Sequence, residues 1–216
     1  MPRGWGEAGE LLAARARMWG VVACPCFVGL AVGAEPVLRL VVGTDWLGAA
    51  PVLSVLALLG LYFSIAMVQQ SFCLAAGKAG EITVLTWGNV TLGAIFILIA
   101  ARWGLVAITA GFVAAHYILW GFRYRLVARL ADIPALPLVT CNVLPVLAAV
   151  AMAVVVIAVQ RGLAEAPLAV TVIVSILAGV VVYTVLAVVL MRDRLDLFLS
   201  YARPVPPPVT PEGGTV

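Results

Sequence analysis

Six stretches of this chain run without a single Asp, Glu, Lys or Arg: 18–34, 46–77, 82–101, 103–122, 133–160 and 166–191. All but the first reach the roughly 20 residues that an α-helix needs to cross a hydrocarbon core about 30 Å thick. An ionised side chain at mid-bilayer costs several kcal/mol, so the charges mark where such helices end. The first stretch is short, but the apolar pattern resumes from Pro36 to Gly43. One helix is therefore expected over about 18–42, carrying Glu35 and Arg39 near its far end. These two are four apart with the acid first, the favourable order for an intrahelical ion pair that lowers their cost in lipid. Composition agrees, with 64% hydrophobic and 11% charged residues, where soluble domains have about 45–50% and about 25%. That excludes a soluble enzyme. Thirteen basic against ten acidic side chains, a net +3, is too mild for binding a phosphate backbone, so no nucleic-acid partner is expected.

Turn chemistry fits the same division. Gly43, Thr44 and Asp45 close the first helix, and Pro51 suits the first turn of the second. Residues 76–80 separate the second helix from the third, and Arg102, Trp103 and Gly104 make a very short hairpin between the third and fourth. A single helix of about 40 residues would overshoot any bilayer at 1.5 Å per residue, so the chain must turn back there. Pro134 and Pro137 introduce the fifth helix, and 160–167 separate it from the sixth. The expected fold is all-α: a polytopic membrane protein with six transmembrane helices at about 18–42, 50–76, 82–101, 104–122, 134–159 and 167–191. Residues 1–17 read as a cytoplasmic amphipathic lead-in, with acids early and bases late between Glu7 and Arg17. A cleaved secretory signal is the rival reading of this start; the long charged leader and the apolar run after Pro36 argue against it. Residues 192–216 form a Pro-rich cytoplasmic tail with too little apolar surface to fold.

Basic residues in short loops set orientation. One side collects Arg3, Arg15, Arg17, Lys78, Arg123, Arg125, Arg129, Arg192, Arg194 and Arg203; the other holds Arg39, Arg102 and Arg161. Both termini are expected in the cytoplasm.

Chemistry-bearing residues are few. Cys24, Cys26, Cys73 and Cys141 all fall in apolar spans, where Cys packs as a small hydrophobe. Cys24 and Cys26, two apart, point to different sides of a helix and lack a second ligand pair, so neither a metal nor a cofactor is expected. Pro25 between them is either a kink or a tolerated proline. His116 is the only histidine, with Thr109 on the same face. It relays protons, meets a polar substrate, or simply bonds a neighbouring helix near the interface. No nucleophile, acid or Walker motif surrounds it, so no catalytic residue is assigned and the chain is not read as an enzyme. Gln69 and Gln70 in the second span, Thr83, Thr86 and Asn89 in the third and Asn142 in the fifth are the other polar groups at depth. Thr83, Thr86 and Asn89 share a broad side that either lines a wet cavity or bonds a neighbouring helix. Gly29-x-x-x-Gly33 and Ser175-x-x-x-Gly179 permit close helix contact.

Read in order, Pro25 to Ala31, Ala34 to Gly43, Trp46 to Leu53 and Leu74 to Lys78 resemble the later half of Wzx-type polysaccharide flippases. These belong to the multidrug/oligosaccharidyl-lipid/polysaccharide exporter superfamily. Gly43-x-x-Trp46 followed by Ala50-Pro51 is the most specific part. The resemblance implies the last six of roughly fourteen spans, in a transporter whose two lobes flank a central cavity. Such proteins move undecaprenyl-diphosphate-linked oligosaccharide across the bacterial inner membrane. The implied partners are that lipid-linked glycan, membrane lipids, and either the missing transporter lobe or a second copy of the chain. Phosphates on the cargo favour arginines lining the cavity, with Arg39 first and Glu35 as its partner or an ion-coupling carboxylate. Gln69, Gln70, Asn89 and His116 complete the candidate cavity set. A non-transporting scaffold of a polysaccharide-assembly complex and a related drug exporter are the alternatives.

Overall fold

The computed structural model describes residues 4–131, 142–163 and 165–191. The expected tail at 192–216, and Pro134, Pro137 and Cys141, lie outside them. The described residues form six α-helices and no strand: α1 Gly4–Val41, α2 Ala50–Ala75, α3 Ala79–Ala100, α4 Leu105–Ala131, α5 Val143–Gly162 and α6 Leu168–Met191. Each is long and apolar enough to cross a membrane. Only 17–33% of each apolar window is buried inside the molecule, so most of this hydrocarbon surface needs lipid as its solvent. This is an all-α, multi-pass membrane architecture.

Three boundaries differ from the charge-gap expectation, and one of them is the fifth helix, expected over 134–159 and described over Val143–Gly162, with Asn142 just ahead of it rather than inside. The lead-in at 1–17 is not a separate element in the described part; from Gly4 it continues unbroken into the first span. Ala, Leu, Glu and Arg are strong helix formers, and no breaker lies between Arg17 and Met18. The fourth helix passes Phe122 and runs to Ala131, because Arg123 does not meet water there.

The turns follow from backbone chemistry. α2 ends in a Schellman motif, with Lys78 N–H donating to the Cys73 carbonyl and Gly77 N–H to that of Leu74, both at 3.0 Å. Gly77 takes the left-handed conformation this requires, at φ 72°. A 3-10 turn at Ala101–Trp103 and Gly104 reverse the chain between α3 and α4. Trp46 and Trp103, in the α1–α2 and α3–α4 turns, are both exposed at one end of the bundle, where amphipathic rings meet a membrane interface.

The helices pack as a row. α1 contacts α2, α5 and α6; α2 continues to α4, and α3 lies mainly on α4. Ala23, Cys24, Leu61, Ile65, Ala148, Ala149, Met152, Val156 and Tyr183 form the core shared by α1, α2, α5 and α6. Gly179 meets Val156 and Met152 of α5, so the Ser175-x-x-x-Gly179 face brings α6 close; Gly29 meets Met152 too, whereas Gly33 faces only its own helix. The Tyr183 hydroxyl donates to the Val21 carbonyl at 2.7 Å, which sets the end of the last span level with the start of the first. α2 and α4 run parallel, with α3 returning between their ends.

Candidate functional site

The α2–α4 contact is where this bundle stops being apolar. On α2, Tyr62, Ala66, Gln69 and Cys73 follow one another at i, i+4, i+7 and i+11, a single helical stripe. On α4, His116, Trp120, Arg123 and Val127 repeat the same spacing. Because the two helices are parallel, the stripes meet in register. Arg123, only 5% exposed, donates from Nε to Gln69 Oε1 at 3.2 Å and from Nη2 to the Ala66 carbonyl at 2.8 Å. One turn toward the other face, Tyr62 sits edge-on to His116, Phe63 and Trp120. Tyr117 donates to the Leu58 carbonyl at 2.8 Å. From α3, Asn89 donates through Nδ2 to the Tyr62 hydroxyl at 3.3 Å. His116 Nδ1 lies 2.9 Å from the Phe112 carbonyl of its own helix, which fits an Nδ1-protonated ring donating there. The result is a polar and aromatic seam crossing much of the bundle's thickness.

Electrostatics distinguish this seam from ordinary interhelical bonding. Both acceptors that hold Arg123 are neutral, and the ion pairs among the described residues, Arg39 with Glu35 and Lys78 with Glu81, involve other groups. Among the described residues, Arg123 is thus a buried cation held by amide oxygens. Gln69 spends its only acceptor on the guanidinium, which leaves its Nε2 donor buried with no partner among the described residues. Trp120 Nε1 and Asn89 Oδ1 are buried and unpartnered as well. Each unmet group costs about 1–3 kcal/mol, and natural proteins keep few of them. Beside Arg123 the free capacity is donor capacity, from Gln69 Nε2. A group rich in acceptors would satisfy it.

The six residues picked out by sequence separate into two places. Gln69, Asn89 and His116 belong to the seam, while Gln70, half-buried beside Gln69, enters none of these contacts. Glu35 and Arg39 pair at 3.6 Å, with 67% and 46% of their side chains exposed. They lie at the opposite end. Ser54 near the start of α2 bonds the Ala31 carbonyl just before Glu35, and Gln69 is a further 15 residues along α2, about 22 Å at 1.5 Å per residue. Of the threonine set, Thr83 and Thr86 donate to the carbonyls of Ala79 and Ile82 on their own helix, so only Asn89 of that face reaches α2. Cys24 is fully buried and Cys26 exposed, as their spacing requires.

Arg123, Tyr62 and Trp120 are the members that sequence reasoning missed. A charge-gap rule places Arg123 with the loop cations because it ends a charge-free gap, whereas the bundle buries it. The signal was present in the repeated stripe spacing on the second and fourth helices, which becomes informative once those two are known to be neighbours.

Set against family models, curated proteins and solved structures, the chain matches none.

Proposed function

We propose that this chain is the C-terminal part of a flippase that moves lipid-linked polysaccharide precursors across a bacterial inner membrane, with both termini in the cytoplasm. The observation that carries the reading is Arg123, a cation buried within the fourth candidate span and bonded, among the described residues, to neutral acceptors in a partly unsatisfied polar seam. Ionisable groups are kept in lipid-embedded helices where a pathway or a charged cargo uses them. A glycan linked through diphosphate is such a cargo, since its headgroup cannot cross hydrocarbon without a polar wall. The ordered motifs from Pro25 to Lys78 support the choice of cargo, and the excess of basic residues at one end supports the orientation. In this reading the six helices supply one wall, and a second lobe or second copy supplies the other.

The test is export of surface glycan in the native cell. Arg123→Gln at unchanged protein level should lower surface glycan and accumulate its lipid-linked precursor on the cytoplasmic face. Wild-type export from Arg123→Gln, with loss only on deletion of the whole chain, would favour the scaffold reading and overturn this one.

A further inference from the structure

We propose that α4 parts from α2 to open the seam to water at its Arg123 end, and that the opened seam is a site for one phosphate-type oxyanion. The inference concerns a cleft within this set of helices and does not depend on a glycan cargo.

Three observations converge on it. First, the closed seam is poorly satisfied, with Gln69 Nε2, Trp120 Nε1 and Asn89 Oδ1 all buried and without partners. Letting water or a ligand reach these groups recovers bonds that the closed form forgoes, so opening is less costly here than at a dry interface. Second, the interfaces differ in kind. α1, α2, α5 and α6 share one apolar core, whereas between α2 and α4 two smaller apolar clusters, one around Tyr62, Ala66 and Val113 and one around Cys73 and Val127, are interrupted by side-chain bonds onto neutral oxygens: Arg123 to Gln69 and Ala66, and Tyr117 to Leu58. Water can replace bonds of that type but cannot replace the packing around Ile65. Third, the donors are chemically one-sided. The guanidinium and the Gln69 amide N–H groups stand together at the Arg123 end, Trp120 lies one turn before Arg123 on α4, and the acceptors bonded to Arg123 among the described residues are already used by it. An oxyanion brings charge and lone pairs together, and a guanidinium matches its geometry. In its absence Arg123 folds onto α2 and the seam closes.

Adjacent residues of α2 give an internal control. Ala66 is buried in the cluster with Tyr62 and Val113 on the seam side, at 3% exposure, and Ile65 in the α1–α5 core at 0%. They lie at the same depth and differ only in which interface covers them. The chain with its four native cysteines replaced by alanine, carrying either Ala66→Cys or Ile65→Cys, is reconstituted in zwitterionic vesicles and exposed to a membrane-impermeant thiol reagent. Ala66→Cys should be modified on the order of tenfold faster than Ile65→Cys. The native Cys73, which packs against Tyr124 and Val127 next to Arg123, should follow Ala66→Cys when it is the only cysteine left. This second reporter needs no new side chain in the seam. Equal rates at positions 65 and 66, or no reaction at positions 66 and 73, would overturn the opening.

The ligand has its own arms. Inorganic phosphate should slow Ala66→Cys modification on the order of threefold if the site takes a free oxyanion. Vesicles containing phosphatidic acid should do so without added phosphate if the source is a lipid headgroup. Either slowing must vanish in Arg123→Gln. No slowing in both arms, or slowing that survives Arg123→Gln, would overturn the oxyanion assignment.

Discussion

Gly60 offers a sharp measurement of how this bundle holds its central helix. A Cβ built at Gly60 falls onto the ring of Phe27, with Cδ1 at 2.5 Å and Cζ at 2.8 Å and Cε1 nearer still. These are separations that real methyl groups do not adopt. Gly60→Ala must therefore push α1 from α2 or turn the Phe27 ring, and overpacking of this kind costs about 1–3 kcal/mol. Ala gains about 1 kcal/mol over Gly within a helix, so the net loss should lie at about 0–2 kcal/mol. Phe27→Leu alone opens space and costs about 1 kcal/mol from lost packing. In the double variant the clash has largely gone, so the combined loss should fall short of the sum of the single losses by about 1 kcal/mol. Unfolding by titration with sodium dodecyl sulfate in mixed micelles, followed by far-ultraviolet circular dichroism, gives all four free energies. Strict additivity, or Gly60→Ala more stable than the parent, would refute the claim that the ring occupies the Gly60 surface.

The remaining expectations use other contacts. Tyr183→Phe removes the hydroxyl bond onto Val21 and should cost about 0.6 kcal/mol, the usual size of such bonds between membrane helices; the same micelle titration reads it. Asn89→Leu removes the donor to Tyr62 and the unpartnered Oδ1 together, so it should be less damaging than Tyr62→Phe, which leaves the Asn89 amide with no partner at either end; the reverse order of midpoints would contradict the bond. Arg39→Ala breaks an exposed pair and should cost less than about 0.5 kcal/mol, yet it should depress glycan export at equal protein level if Arg39 meets the cargo. Accessibility labelling of tags at the two ends of the chain should find both on one face of the membrane.

The six spans were legible because one physical rule acts along the chain, without reference to neighbours: an unpaired ionised group does not sit in hydrocarbon. The same rule concealed Arg123. It reads every arginine as a boundary, and it fails where a neighbouring helix supplies oxygen atoms in the right place, as Gln69 and Ala66 do. Their positions on another helix cannot be seen in the local sequence around Arg123. Gln69, Asn89 and His116 stood out as polar residues at depth, but sequence could not say that Asn89 meets Tyr62 or that His116 lies among aromatic rings. Thr83 and Thr86 show the opposite error, since threonine at depth often satisfies itself on the preceding turn and then carries no information about neighbours.

Glu35 and Arg39 bring out why pairing, rather than charge, is the informative quantity in such a chain. Both are ionised residues within an apolar run, and the motif run that suggests a flippase passes directly through them. Yet each already has a partner of opposite sign four residues away, at an exposed helix end where water or headgroups reach both. Among the described residues Arg123 has no anionic partner among its bonds, is buried, and sits beside Gln69, whose Nε2 has nothing to donate to. A self-compensated pair can be retained for stability alone. An unpartnered buried donor beside a cation raises the energy of the closed bundle, and the proposed open state is one in which that donor is used. That state requires α4 to move relative to α2, and it is the reason the seam, rather than the better-exposed ion pair, is where a charged group would engage this protein.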